Sequence, residues 1–299
     1  MKKTVFIGSV ISSKIALETM IEQGIKIDLV CSLDEEASRN VSDYYPIYQI
    51  ADQYQISYIK FRKINAENVV NRIRETEPDL IFVIGLSQII SDEILELAKD
   101  YAVGFHPTPL PRYRGRAALP WMILLGEKTL KVSFLKLDKG MDSGDIICQY
   151  PYEIGDSDYV TDVYEKVCQA LREGLIQCLP QIYSDSVKFI SQNEDEATYL
   201  LIRRPEDGLI DWTKPANDIA KLVRAASHPY PGAYTSYSGN RVVVWKACWI
   251  ENKKYIGIPG QIAWIQENGQ IGVITGDGML IISDYEYEGR KFIVGHKFL

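Results

Sequence analysis

Residues 4–31, TVFIGSVISSKIALETMIEQGIKIDLVC, decide the fold of the first half of the chain. Thr4 to Ser9 is a short apolar run closed by glycine and serine, which reads as a buried strand. Ser13 to about Gln23 reads as a helix, and Ile27 to Cys31 as a second strand. Strand, helix and strand in that order form a βαβ opening, which sets the two strands parallel. The turn after the first strand, Gly8-Ser9-Val10-Ile11-Ser12, lacks the G-x-G-x-x-G spacing that lets backbone close on a pyrophosphate. A dinucleotide is therefore disfavoured.

Outward from that stretch the alternation continues. Val69 to Glu75 reads as helix, Leu80 to Ile84 as strand, Ser91 to Lys99 as helix and Ala102 to Phe105 as strand. A helix near Ala117 to Leu125, a strand near Lys131 to Leu137 and a long helix from about Tyr159 to Leu179 follow. Strands alternating with helices predict a Rossmann-like α/β domain over residues 1–185, with a mostly parallel sheet covered on both faces. The polar run Ser191 to Glu196 reads as part of a linker over 186–208. Pro215 opens a short amphipathic helix with Ile219, Leu222 and Val223 on one face. From Gly232 onward short strands separated by Ser238-Gly239-Asn240, Asn268-Gly269 and Gly276-Asp277-Gly278 predict a small, mostly-β domain over 209–299, an antiparallel OB-like barrel or a meander.

With 299 residues, 46% of them hydrophobic, the chain can bury a large core and a small one. Its formal net charge of −7 argues against broad electrostatic capture of nucleic acid. MKKTVFIGSV is too short an apolar run for a signal peptide, and no stretch reaches the length of a membrane span, so a cytoplasmic protein with no membrane partner is expected. The five cysteines lie far apart, and no two of His106, His228 and His296 are close in sequence, so no metal site is signalled.

Three loops stand out: Gly85 to Gln88, His106 to Pro111, and Asp138 to Asp145. If the strands before them are all parallel, these loops share the carboxyl rim where open α/β sheets bind ligands, and His106 comes within reach of Asp142. Prolines at 107, 109 and 111 stiffen the chain just after the histidine. On spacing alone a second reading stays open, in which His106 is a satisfied buried histidine and Asp142 a turn residue beside Gly140 and Gly144.

FHPTPLPRYRGRAALPWMILLGE at 105–127, followed by LDKGMDSGDII at 137–147, resembles the signature of the folate-dependent formyltransferases. The family pattern of Asn-x-His, Ser-Leu-Leu-Pro, Arg-Gly and a later Asp is matched at His106, Leu110, Pro111, Arg114, Gly115 and Asp142. Asp142 stands 36 residues after His106, as in the family. RRPEDGLIDW at 203–212 and VRAASHPYPGAYT at 223–235 resemble the link and small C-terminal domain of the tRNA and sugar branches. Residues 1–185 would then be the catalytic domain. Gly104 stands where the family has Asn, Thr108 where it has Ser, and Pro109 where it has Leu.

The resemblance implies transfer of a formyl group from the cosubstrate 10-formyltetrahydrofolate to a primary amine, with His106 and Asp142 catalytic. It implies that the folate lies along Leu86, Ser87, Gln88, Ile89 and Ile90, and that Asp138, Lys139 and Gly140 close its pocket. Against this, Leu86, Ile89 and Ile90 also read as core residues. The family Asn is credited with binding the formyl oxygen, a donor whose loss costs about 100- to 1000-fold in rate. Either another group replaces it or activity is low.

For the acceptor, the tRNA branch carries a basic insertion after its second strand. Here SLDEEASRNVSDYY from Ser32 is acidic, and Asn40-Val41-Ser42-Asp43-Tyr44 is more similar to the sugar branch. A nucleotide-linked amino sugar is the first expectation, methionyl-tRNA the second, and a folate-binding pseudoenzyme the third. Thr108, Arg112 and Arg114 are candidates for holding the substrate, Arg112 and Arg114 through paired N–H donors to a phosphate. For either arginine a surface or interdomain salt bridge is at least as good a reading. A homodimer is left open.

Overall fold

The structure, a computed structural model, describes residues 2–39 and 41–299, so Asn40 of the sugar-like phrase lies outside the described residues. The chain packs as two compact units. One comprises Met1–Gly115, Thr129–Glu153 and Glu165–Leu200, and the other Arg116–Lys128, Ile154–Tyr164 and Leu201–Leu299.

The first unit begins with β1 (Thr4–Gly8), α1 (Ile11–Glu22), β2 (Leu29–Leu33), α2 (Tyr48–Gln53), β3 (Tyr58–Phe61), α3 (Glu67–Thr76), β4 (Leu80–Val83), α4 (Asp92–Glu96), β5 (Tyr101–His106) and β6 (Arg114–Gly115). After α5 (Ala118–Leu125), which belongs to the second unit, come β7 (Thr129–Lys136), β8 (Ile146–Glu153), α6 (Val160–Tyr183) and β9 (Tyr199–Leu200). The main sheet has the order β3-β2-β1-β4-β5-β7-β8. β3, β2, β1, β4 and β5 are parallel, and Val5, Phe6, Ile7, Leu80, Ile81 and Phe82 at its centre are fully buried, which explains their unbroken apolar runs.

Two features depart from the sequence reading. β3 and β8 carry tyrosines, a lysine, a glutamine and a proline among their apolar residues, so neither reads as a strand from sequence. More consequentially, β7 runs antiparallel to β5, with His106 opposite Ser133 and Val103 opposite Lys136. Side-chain periodicity is the same in both senses, and only the connection through α5 sets the direction. The loop after β7 therefore does not reach the carboxyl rim by the route the sequence suggested.

The polar run from Ser191 docks onto the first unit. Ile190 pairs with Ile146, and β9 pairs in parallel with β6. At the first turn the backbone N–H groups of Ser9 and Val10 donate to Ser13 Oγ at 3.0 and 3.1 Å. Donors a phosphate would need are thus already used.

The second unit adds α7 (Ala216–Ala226), β10 (Ala233–Tyr237), β11 (Asn240–Ile250), β12 (Ile262–Ile265), β13 (Ile271–Ile274) and β14 (Met279–Tyr287). They form an antiparallel sheet ordered β10-β11-β14-β13-β12. α7 buries Ile219 and Val223 in a core with Trp212, Tyr237, Val244, Leu280 and Phe298, as its amphipathic spacing predicts. The two edge strands are closed by residues 295–299. Leu299 exchanges backbone hydrogen bonds with Ser236 of β10, while Ile262 donates to His296 and Phe298 to Gly260. This closure gives the sheet its barrel-like character. Among the described residues no helix is long and apolar enough to cross a membrane.

Phe298 is fully buried and stacks on Trp212 at 5.6 Å between centroids. Phe298→Ala should lower stability by about 3–5 kcal/mol through the cavity and the loosened closure. Chemical denaturation checks this, and a loss below about 1 kcal/mol would show that the segment is not part of the core.

Candidate active site

His106 ends β5, and the proline-rich segment after it is bolted to the sheet. Ser133 Oγ donates to Thr108 O at 2.6 Å and accepts from Leu110 N at 3.2 Å. Gln149 Nε2 donates to Leu110 O and to Ser133 Oγ, and the Tyr152 hydroxyl donates to Pro107 O. Thr108 is fully buried, and its hydroxyl sits 3.1 and 3.2 Å from the carbonyls of Arg112 and Tyr113. This residue braces the loop and offers nothing to a substrate.

The His106 side chain is 8% exposed. Its Nε2 lies 2.8 Å from Tyr113 O, and because a carbonyl only accepts, Nε2 carries the proton. Nδ1 then faces Asp142 Oδ2 across 3.7 Å, too far for a direct hydrogen bond but close enough for an ion pair. Asp142 Oδ2 also accepts from Gly115 N at 2.8 Å. Asp142 itself has φ +52°, a left-handed conformation that aspartate tolerates better than most residues. The expected juxtaposition is present, though by another route than a shared parallel rim.

Asp138 holds the same loop by accepting from Gly140 N and Ser143 Oγ. Gly144 has to be glycine, since a Cβ there would sit 1.7 Å from Lys136 O. The exposed Lys139 lies 3.1 Å from Asp92 and 3.8 Å from Glu96, and its pKa is raised by the hydrogen bond to Asp92. This contact brings the 138–145 loop to α4, directly after the Leu86–Ile90 segment. In that segment Leu86 and Ile90 pack against the core cluster around Val69 and Ile73. Gln88 accepts from Ile64 N and donates to Arg62 O, which fixes the backbone. Ser87 is exposed, and Ile89 is 80% exposed. The core reading thus fits Leu86 and Ile90, while Ile89 points outward.

Similarity to known proteins decides the family. One family profile, described as Formyl transferase, matches residues 3–179, and a second, described as Formyl transferase, C-terminal domain, matches 203–299. The chain belongs to the formyltransferase family. Methionyl-tRNA formyltransferase of Alkaliphilus oremlandii (strain OhILAs) is 30% identical over 97% of this chain and 93% of its own. Among solved structures, the N-formyltransferase from Helicobacter canadensis, in complex with folinic acid and dTDP-3-aminofucose, is 18% identical, with a TM-score of 0.69 over 96% of this chain and 100% of its own. WlaRD, a sugar 3N-formyl transferase solved in the presence of dTDP and 5-N-formyl-THF, is 19% identical, with a TM-score of 0.68 over 94% and 97%. At these identities the two structures share its fold.

In this formyltransferase Arg114 is 1% exposed and fully engaged inside the protein. Its Nε and Nη2 donate to Gln192 Oε1, its Nη groups grip both oxygens of Glu194, and Nη1 also donates to the Tyr199 hydroxyl. It therefore presents no paired donors to a phosphate, and its salt bridge to Glu194 lies within the first unit, with the guanidinium buried, where the sequence suggested a surface or interdomain pair. Arg112 lies over the Tyr113 ring and donates to its hydroxyl at 2.6 Å. Sequence reasoning missed Ser133, Gln149, Gln192 and Glu194, which lie on an unrecognised strand, on the expected linker, or as a lone serine within β7. Among the described residues no cluster of His, Cys, Asp or Glu could hold a metal ion.

The place of the family Asn is filled. A Cβ added to Gly104 would lie 2.4 Å from Leu137 Cδ2 and 2.9 Å from its Cγ. Gly104→Asn should therefore give turnover no higher than wild type, with reduced stability. A tenfold gain in turnover, worth about 1.4 kcal/mol of barrier, would show that the position is simply a lost donor.

Glu194 also makes a pH prediction. The Arg114 guanidinium holds its carboxyl below the ordinary value of 4.5. A depressed carboxyl contributes stability above its ordinary pKa and loses it as pH falls through the folded value. The stability difference between wild type and Glu194→Gln should accordingly be largest near neutrality and shrink on acidification below about pH 4. Denaturation curves across that range check this, and a difference independent of pH would contradict the pairing.

Proposed function

We propose that this formyltransferase moves the formyl group of 10-formyltetrahydrofolate onto the primary amine of a nucleotide-linked amino sugar, with His106 and Asp142 as the acid/base pair. The observation that carries the reading is the buried imidazole, fixed through Nε2, whose Nδ1 faces a carboxylate at 3.7 Å. The amine nitrogen attacks the formyl carbon and forms a C–N bond, and the carbonyl electrons move onto oxygen. Collapse of that tetrahedral oxyanion breaks the bond to the folate N10. One proton leaves the amine and one arrives on N10, a transfer suited to imidazole. The Asp142 carboxylate orients the ring and stabilises its charged form as the proton passes.

For the donor, folate compounds accompany both solved relatives named above. Ile89 and Met141, 80% and 58% exposed on the two loops joined through Lys139 and α4, offer apolar surface to a flat pterin. For the acceptor, WlaRD is a sugar 3N-formyl transferase solved with dTDP, and the Helicobacter canadensis N-formyltransferase was solved with dTDP-3-aminofucose. Here Lys60 and Arg62 pair with Glu35 and Glu36, and among the described residues of 32–45 the acidic Asp34, Glu35, Glu36 and Asp43 outweigh the single Arg39, a charge balance that suits an acceptor stem poorly. A second reading, formylation of methionyl-tRNA, is favoured by the 30% identity to an enzyme of that name.

Mass spectrometry of products from 10-formyltetrahydrofolate with a panel of dTDP- and UDP-linked amino sugars, and with methionyl-tRNA, separates the readings. Formylated sugar is expected; formylated methionyl-tRNA alone would favour the second reading, and no product would leave a folate binder without turnover. On the accepted amine, His106→Ala and Asp142→Ala should each lower turnover by about 100- to 10,000-fold, and each variant should still fold, with a lowered melting temperature because the buried imidazole and the carboxylate both bond residues 113–115. A wild-type rate in His106→Ala would refute the mechanism.

A further inference from the structure

The loop carrying Asp142 follows an antiparallel strand, so something other than the sheet has to hold it beside His106. Residues 190–192 run along it: Ile190 exchanges backbone hydrogen bonds with Ile146, Ser191 Oγ donates to Asp145 Oδ1 at 2.9 Å, and Gln192 Nε2 donates to Gly144 O at 2.7 Å and to Asp142 O at 2.8 Å. The other end of the same amide is pinned, since Gln192 Oε1 accepts from Arg114 Nε and Nη2 at 3.1 and 2.9 Å. Arg114 is in turn locked by Glu194 and Tyr199 and cannot follow the loop if it shifts.

We propose that Gln192 is a positioning residue for formyl transfer, bridging the buried Arg114 guanidinium to the Asp142 backbone and so setting the gap between Asp142 and His106. This rests on the role given to Asp142 above. Both amide hydrogens are used on the loop and the amide oxygen on the arginine, so each end can be tested separately. Gln192→Glu keeps an oxygen for Arg114 but removes both donors to the loop. Gln192→Ala removes both ends.

Gln192→Glu should lower kcat about tenfold or more, with KM for 10-formyltetrahydrofolate changed less than about threefold, because two hydrogen bonds that orient the carboxylate are lost. Combined with Asp142→Asn, it should slow the enzyme no further, because it acts through Asp142. A second readout does not depend on turnover. The Gly115 N–H is held by Asp142 Oδ2, so its hydrogen exchange should quicken in Gln192→Glu and Gln192→Ala while β5 amides keep their protection. If the wild type formylates no amine, the functional reading fails, and Gly115 exchange still tests the clamp. Wild-type kcat in Gln192→Glu, effects that multiply with Asp142→Asn, or unchanged Gly115 exchange would each overturn the proposal.

Discussion

The tripeptide Tyr113-Arg114-Gly115 is the constraint on which the candidate site depends. Its first carbonyl accepts from His106, its last N–H donates to Asp142, and the side chain between them is clamped by Gln192 and Glu194. Three successive residues thus fix both members of the acid/base pair from one short piece of backbone. The geometry needs a left-handed Tyr113, φ +65°, and a glycine at 115, φ +103°, whose added Cβ would lie 2.5 Å from Leu200 O. Such conformations persist only where surrounding contacts over-determine them, and here the buried Arg114 network supplies those contacts.

That network also explains why the polar stretch after α6 does not behave as a tether. A buried guanidinium without partners would be costly, and Gln192, Glu194 and Tyr199 meet that need. Satisfying Arg114 draws residues 190–200 onto the first unit, and the same residues then hold the loop of Asp142. A demand that begins as desolvation of one charge ends by shaping the site.

The α/β alternation of the first half, the amphipathic α7 and the turn-rich β region were legible because hydrophobic periodicity and glycine turns report burial directly. Adjacency of His106 and Asp142 was legible on sound grounds through the family signature. The inference from a parallel rim reached the right neighbours on a wrong premise, because the sense of β7 leaves no trace in side-chain pattern. Gln192 and Glu194 could not be read at all. A polar residue on a surface loop and one under a buried arginine look alike in sequence, and only the fold separates them. Leu137, which fills the space beside Gly104, read simply as the end of a strand.

The most direct test of the account is a crystal structure of the protein with 5-formyltetrahydrofolate and the accepted amine bound. The account predicts the amine nitrogen and the folate N10 gathered around His106 and Asp142, with reacting atoms about 3–3.5 Å apart and residues 113–115 unmoved. Folate bound away from the 86–90 and 138–142 loops, or a His106 ring turned away from both nitrogens, would contradict it.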